Sequence, residues 1–181
     1  PSARTESQVF AKHALAQNPN TKFAILYQND DLGRDYMAGI KDVLGAKFDA
    51  QAKVASYEVT DATPDSQLIQ LAGTNPDVMV FGVTGKFGAM AVRKTAELGF
   101  KGTRYLASGA SSITSTIQPA GPEKAVGVIT PVYMKDVSDA AWADDAGVKA
   151  YKAFMAKHMP EGNPNEFYNA YGYMTAIVMV H

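Results

Sequence analysis

The sequence of 181 residues contains no cysteine. This absence excludes catalysis by a thiolate, zinc sites with cysteine ligands and a disulfide framework. No pair of histidines or acids has the spacing of metal ligands either, and adjacent acids such as Asp144 and Asp145 are interpreted as a solvated loop. We therefore expect neither a metal nor another cofactor.

An excess of charge of one sign is also missing. The 17 basic and 18 acidic residues leave a formal net charge of −1, so the composition predicts neither nucleic acid nor an anionic membrane as a partner. The longest apolar run, "TAIVMV" at 175–180, is far too short to cross a bilayer. A hydrophobic fraction of 46% predicts a folded protein with a substantial core.

The two ends lack the signals of a complete chain. The sequence opens on "PSARTESQ", without methionine or an apolar leader, and stops at His181 directly after an apolar helical run. We expect an internal piece of a longer protein. Its export signal, if it has one, has been removed or lies upstream.

What the sequence does contain is a regular alternation of strands and helices. Short apolar runs with the composition of buried strands lie at 22–27, 53–59, 76–82, 103–108 and 126–130. Between them, stretches such as "RDYMAGIKDVLG" and "KFGAMAVRKTAELG" have apolar residues at helical spacing. The alternation predicts an α/β fold, with a parallel sheet and helices on both faces. Periodicity does not determine the strand order, for which we expect the flavodoxin-like order 2-1-3-4-5.

The pattern changes after the fifth strand. Residues 136–147 are acidic and small, which predicts a loop. Residues 148–159 and 167–180 then predict two helices with no strand between them. These helices have no partner strand in the present chain.

Ligands of open parallel α/β sheets bind beyond the carboxyl ends of the strands. Four loops define that edge here: "QNDDLG", "VTGKF", "ASGASS" and "TPVY". Their hydroxyls, amides and glycines suit a small polar or anionic ligand. The same residues suit helix capping and tight turns equally well, so both interpretations stay open for each of them.

Three other classes share this architecture. A receiver domain needs an aspartate after the third strand, where this chain has "FGVT". A dinucleotide site needs G-x-G-x-x-G, whereas "QNDDLGRD" has one glycine and two carboxylates in that place. A serine hydrolase needs G-x-S-x-G, which "SGASSI" does not match. The hydrolase class stays open, because a triad is defined by geometry and not by a motif.

Three stretches carry a resemblance to a known family: "KFAILYQNDDLGRDYMAGIKDVLG", "SYEVTDATPDSQLIQLAGTNPDVMVFG" and "KFGAMAVRKTAELGFKG". They resemble the substrate-binding proteins of branched-chain amino acid ABC transporters, the type I periplasmic binding protein family. The resemblance implies two α/β lobes that close over a ligand. It implies that residues 6–130 are the second lobe, that 1–5 and 128–135 are hinge crossings, and that 136–181 returns into the first lobe.

The resemblance also implies a set of ligand-facing residues. They are Asn29, Asp31, Leu32, Thr84, Lys86, Ser108, Gly109, Ala110, Ser111 and Tyr133. Members often carry an aromatic residue where this chain has Leu32, and amino-acid binders place a carboxylate in the loop that is "ASGASS" here. A buried ammonium needs a charge partner. Unless Asp30 or Asp31 supplies it, a carboxylate, an aromatic acid or a neutral amide suits this edge better than an α-amino acid.

The function implied by the resemblance is that of a solute-binding protein without catalytic activity. It would lie in the periplasm, or outside a cell with one membrane, and deliver its ligand to the permease of an ABC importer. A ligand-sensing regulator on the same bilobed fold is the alternative. Without the first-lobe sheet, apolar residues of the last two helices would be uncovered, which predicts a dimer or domain-swapped assembly of this piece. Those residues are Tyr151, Phe154, Met155, Ile177 and Val178.

Overall fold

The structure, a computed structural model, describes residues 2–180 and contains a five-stranded sheet. Its strands are β1 (Phe23–Gln28), β2 (Ala52–Tyr57), β3 (Val78–Gly82), β4 (Thr103–Leu106) and β5 (Val128–Ile129). The strand order is β2-β1-β3-β4-β5, and every neighbouring pair is parallel. The predicted fold class and strand order are therefore confirmed.

The helices of the described residues connect these strands and follow the last of them. They are α1 (Ala3–Gln17), α2 (Asp31–Leu44), α3 (Phe48–Gln51), α4 (Asp65–Ala72), α5 (Lys86–Glu97), α6 (Gln118–Ala120), α7 (Ala146–His158) and α8 (Phe167–Val180). Short polar side chains start several of them. The Ser2 hydroxyl accepts the Thr5 N–H of α1 at 3.2 Å, and the Asp145 carboxylate accepts the Gly147 N–H of α7 at 3.0 Å.

Helices cover both faces of the sheet, as predicted. Because side chains alternate along a strand, Phe23 and Ile25 of β1 lie on one face, in a buried cluster with residues of α1 and α2. Ala24 and Leu26 lie on the other face, in a cluster with residues of α4 and α5. Every residue of β3 is buried. Because both faces of the sheet are covered by helices, only the ends of the strands and the loops that follow them are available for a ligand.

The chain divides into two compact units. The first comprises 1–111 and 116–131, and the second comprises 112–115 and 132–181. The second unit has a small apolar core in which residues of α7 and α8 pack together with Val137. The buried members of that core are Val137, Val148, Tyr151, Met155 and Ala170.

Several element boundaries differ from the prediction. Helix α2 begins at Asp31 and not at Arg34, because Asp30 caps it with a 2.9 Å bond from the Gly33 N–H. The fifth strand has two residues, Val128 and Ile129, and pairs with only two residues of β4. Between β4 and β5, residues 113–117 form a π turn that is followed by α6.

The predicted hinge crossing at 1–5 contains helical residues. Pro1 lies outside the described residues, and Ala3–Thr5 begin α1 after the Ser2 cap. The assignment of 6–130, 1–5, 128–135 and 136–181 to lobes and crossings stays a prediction.

Candidate functional site

The carboxyl ends of β1, β3 and β4 lie side by side, because these strands are neighbours in the sheet. Tyr27 of β1 is paired with Gly82 of β3, and Phe81 of β3 is paired with Leu106 of β4. The loops that follow these strands therefore emerge at one edge. We call the residues 28–33, 83–86 and 107–111 the carboxyl edge.

A hydrogen-bond network around Gln28 forms the first part of this edge. The amide oxygen of Gln28 accepts the hydroxyl protons of Tyr57 at 3.0 Å and Thr84 at 2.7 Å. The amide nitrogen of Gln28 donates to Asp30 Oδ2. The Thr84 N–H donates to the Tyr57 hydroxyl at 3.4 Å. The network joins the ends of β1 and β2 to the loop after β3.

Burial keeps the Tyr57 hydroxyl protonated in this network. It raises the pKa of Tyr57 to about 12, although hydrogen bonds from Thr84 act in the opposite direction. Tyr57 is therefore a donor throughout the physiological pH range. Its ring also packs on Phe87, with centroids 4.2 Å apart.

The loop after β1 approaches the strand closely. A Cβ atom added to Gly33 would lie 1.9 Å from the carbonyl oxygen of Gln28, so only glycine fits there. The Asp30 carboxylate is the cap of α2, whereas Asn29 and Asp31 are not. Asn29 instead donates to Glu58 Oε1 at 2.5 Å, and Asp31 pairs with Arg34 at 2.9 Å.

The loop after β4 is attached to a residue far away in the sequence. Glu6, of which 5% is exposed, accepts the Ser108 N–H at 2.8 Å and the Tyr36 hydroxyl at 2.5 Å, both on its Oε1 atom. The Ser111 hydroxyl donates to the Ser108 carbonyl at 2.7 Å. Glu6 thereby joins α1, α2 and this loop.

Gly88 of α5 allows the loop after β4 to pack closely against this helix. A Cβ atom on Gly88 would lie 2.8 Å from the Ala110 methyl group, so a larger residue would push the loop away. Ala110 is fully buried, and Ser108 is buried as well. Of the four loop residues predicted to face a ligand, only Gly109 and Ser111 are partly exposed.

The remaining predicted residues are accessible to different extents. Leu32 is 39% exposed. Lys86 is exposed, donates to the Asp61 carbonyl at 3.3 Å and lies over the Phe87 ring at 4.9 Å. Tyr133 belongs to the second unit, where its exposed ring meets Tyr171 edge to face at 6.5 Å. The predicted residues of the first three loops thus lie at one edge of the sheet, and Tyr133 belongs to the second unit.

Three residues that form or support this edge were not among the predicted site residues: Gln28, Tyr57 and Glu6. Gln28 had a signal, since it is a polar residue at the end of the apolar strand β1, and Tyr57 ends β2. Glu6 had none, because its partner Ser108 is 102 residues away.

The described histidines contact aromatic residues and not the serines of the loop after β4, so they do not support a serine hydrolase triad. His13 Nδ1 lies 2.6 Å from the Tyr105 hydroxyl, and His158 stacks near Phe154 in the second unit. Among residues 2–180, no cluster of acids and histidines suits a metal ion. No described helix has the length and apolar character needed to span a bilayer.

Comparison with known proteins gives one family. The sequence profile of the family described as "Periplasmic binding protein" matches residues 1–181. No curated protein matches the chain.

Solved structures with a similar fold have low sequence identity. A substrate-binding periplasmic protein from Ralstonia solanacearum is 19% identical with a TM-score of 0.76, over 94% of this chain and 47% of that chain. A leucine-binding protein from Thermotoga maritima is 20% identical with a TM-score of 0.67, over 97% and 48%. A branched-chain amino acid ABC transporter protein from Thermus thermophilus with bound valine is 15% identical with a TM-score of 0.72, over 91% and 42%. The chain thus spans a little under half the length of each.

Proposed function

The chain belongs to the periplasmic binding protein family, and from that premise we propose that it is part of an extracytoplasmic solute receptor of an ABC importer. It binds a small polar or amphipathic solute between two lobes and presents it to the permease. The observation that carries this proposal is the carboxyl edge, where the Gln28 network and the Glu6-bound loop lie at the ends of adjacent strands. Ligands of such sheets bind at this edge.

The polar groups of the edge are held in place before any ligand arrives. Thr84 and Tyr57 share one acceptor, Gln28, and Ser111 is bonded to its own loop. Preorganised groups lose little freedom on binding, which favours affinity. A receptor that releases its ligand unchanged needs this kind of rigid surface.

We assign solute contacts to the exposed or partly exposed residues of the edge and propose Tyr133 as a contact from the hinge region. The edge residues are Asn29, Asp31, Leu32, Thr84, Lys86, Gly109 and Ser111. Ser108 and Ala110 are buried and shape the loop from beneath. In this proposal 6–130 is one lobe, 1–5 and 128–135 are crossings, and 136–181 belongs to the other lobe.

The solute class is a branched-chain amino acid, or a carboxylate or amide of similar size. The leucine-binding and valine-bound structures of similar fold support the first of these. Delivery to a permease and a periplasmic location follow from the same family role. Closure would require only that the solute bind the closed form more tightly than the open form.

A thermal-shift panel on the full-length protein tests the proposal. It contains leucine, isoleucine, valine, 4-methylpentanoate, benzoate and isobutyramide. A solute at about 100 times its dissociation constant adds about 2.7 kcal/mol of stability, which moves the melt visibly. We expect at least one member to shift it. A melt unchanged by every member would contradict the proposed solute class.

A further inference from the structure

We propose that Glu6 determines which chemical group of a solute the third loop accepts, although Glu6 itself touches no solute. Its buried carboxylate occupies the Ser108 N–H and places a negative charge beneath 108–111. The loop then presents hydrogen-bond acceptors, and the solute meets it with a donor such as an ammonium or amide N–H. This inference rests on the proposed function, because it specifies the selectivity of the same site.

The first step is the occupation of four donors of the loop. The Ser108 N–H donates to Glu6, the Ala110 N–H to the Ala107 carbonyl at 2.9 Å, and the Ser111 N–H to the Ser108 carbonyl at 3.2 Å. The Ser111 hydroxyl proton also points to the Ser108 carbonyl. None of these four donors is available to bind a carboxylate.

The second step is the polarisation of the Ser111 hydroxyl group. This hydroxyl donates its proton to the Ser108 carbonyl. A hydroxyl that donates a hydrogen bond is polarised and becomes a better acceptor. The lone pairs of the Ser111 oxygen therefore become better acceptors, and Ser111 is partly exposed.

Thr84 in the loop after β3 has the same polarity. The Thr84 hydroxyl proton goes to Gln28, and the Thr84 N–H goes to Tyr57. The oxygen of Thr84 is left to accept from a solute. Lys86 of the same loop is a donor, but its ammonium group donates to the Asp61 carbonyl at 3.3 Å. Thr84 and Ser111 thus both offer acceptors, and Glu6 adds the charge that an ammonium needs.

The substitution Glu6→Gln tests the effect of the negative charge while both observed hydrogen bonds can be kept. Both observed bonds end on Oε1 of Glu6, and the amide oxygen of glutamine can accept both. Glu6→Gln therefore keeps the loop in place and removes only the charge. Glu161→Gln, at an exposed position of the second unit, is the control with the same change of net charge.

A reporter thiol measures the charge without any solute. Because the chain has no cysteine, Ser111→Cys introduces a unique thiol at the loop in this part of the protein. Its pH profile of reaction with iodoacetamide, a neutral reagent, is compared with and without Glu6→Gln in the full-length protein. We expect the thiol pKa to fall and the rate at pH 7 to rise about threefold or more. Equal profiles in the two backgrounds would overturn the proposal.

A second reporter variant is needed in case the Ser111→Cys variant does not fold correctly. A Cβ atom on Gly109 meets nothing within 4 Å, so Gly109→Cys fits the loop without a clash. The Glu6→Gln effect must appear there too, and Glu161→Gln must leave both profiles unchanged. A similar shift with Glu161→Gln would mean that net charge alone causes the effect, and that result would also overturn the proposal.

A pair of solutes then tests selectivity. Leucine and 4-methylpentanoate share a carbon skeleton and differ in the ammonium group. We expect calorimetry of the full-length protein to show preference for leucine, and Glu6→Gln to reduce the ratio of dissociation constants about tenfold. An unchanged ratio would overturn the role of Glu6. If the unsubstituted protein binds no member of the solute panel, the proposed function fails, and the thiol profiles still decide the charge of the loop.

Discussion

Helices α5 and α8 have similar lengths but opposite surroundings. Helix α5 includes Lys86, Arg93, Lys94 and Glu97, yet six of its residues are buried against the sheet and its neighbours. Helix α8 has no charged residue between Phe167 and Val180, yet only Ala170 of its described side chains is buried. The more apolar helix is thus the less buried one.

The difference shows that the position of a helix in the chain topology decides whether its apolar residues are buried. An apolar composition only makes that burial favourable. Helix α5 connects two strands of one sheet, so its apolar side must lie on that sheet. Helix α8 follows another helix, and the described residues of the second unit contain no strand for it to lie on. Its uncovered residues, such as Val178 at 72% exposure, form an exposed apolar surface of the kind that commonly mediates association.

Matched methionines give the largest expected contrast between the two regions. Met79 in β3 is fully buried, and Met179 in α8 is 82% exposed. Met79→Ala should lower the free energy of unfolding by about 2 to 5 kcal/mol, because it leaves a cavity in a packed core. Met179→Ala should change it by less than about 0.5 kcal/mol. Urea denaturation checks both, and similar losses in the two variants would contradict the account.

The uncovered surface of α8 also predicts self-association of the 181-residue chain. We expect a dimer or domain-swapped assembly at tens of micromolar in light scattering. The double variant Val178→Glu, Met179→Glu should raise the dissociation constant about tenfold or more, because it places charge on the apolar surface. Ile69→Glu, at an exposed position of α4, is the control and should have no effect. A monomeric parent chain would refute this prediction.

The polar interior of the first unit is tested by Tyr57→Phe. The change removes the hydroxyl that donates to Gln28 at 3.0 Å and leaves the ring on Phe87. We expect a loss of about 1 kcal/mol in the free energy of unfolding, since the bond that the hydroxyl donates to Gln28 and the 3.4 Å bond that it accepts from the Thr84 N–H both disappear. Tyr171→Phe, at an exposed residue of the second unit, serves as the comparison. Equal effects of the two changes would argue against the network.

The second unit relies on a polar cluster in place of a large core. Glu166 accepts hydroxyl protons from Ser112 at 2.8 Å, Ser115 at 3.1 Å and Thr114. Burial opposes its charge, but these hydrogen bonds together lower the pKa of Glu166 below its ordinary value. The stabilisation is therefore full above the unfolded pKa, about 4.3, and is lost as the pH falls through the lower folded pKa.

Glu166→Gln should reduce that acid sensitivity of the second unit. We expect a loss of less than about 1 kcal/mol at neutral pH and a flatter dependence of unfolding on pH below about 5. Near-ultraviolet circular dichroism of the tyrosines near α7 and α8 follows this transition. An acid transition that is identical in the variant and the parent chain would show that the carboxylate does not contribute.

Periodicity predicted the first unit well because each of its elements buries a continuous apolar face. The continuous apolar run of β1 and the apolar positions of α2 are local signals, and such signals sufficed for the parallel sheet. Periodicity did not determine the strand order, which was expected from the flavodoxin-like architecture. The boundary at Asp30 was missed because three adjacent polar residues, 29–31, each suit a helix cap. Only the close approach of Gly33 to Gln28 selects one of them.

The site was predicted less completely, since its polar contacts join distant segments. Thr84 was named from its loop, but its acceptor Gln28 belongs to another strand. The acid that contacts the third loop, Glu6, belongs to the first helix. No local pattern contains such a pair, because the two residues meet only when the sheet has brought α1 beside the end of β4.

Hydrogen–deuterium exchange of the full-length protein tests the central claim most directly. The protein is measured with and without the solute that gives the largest shift in the thermal panel. The account predicts slower exchange at the carboxyl edge, in peptides covering 28–33, 83–86 and 107–111, and little change at the opposite ends of the strands. Protection confined to those opposite ends, with the carboxyl edge unaffected, would contradict it.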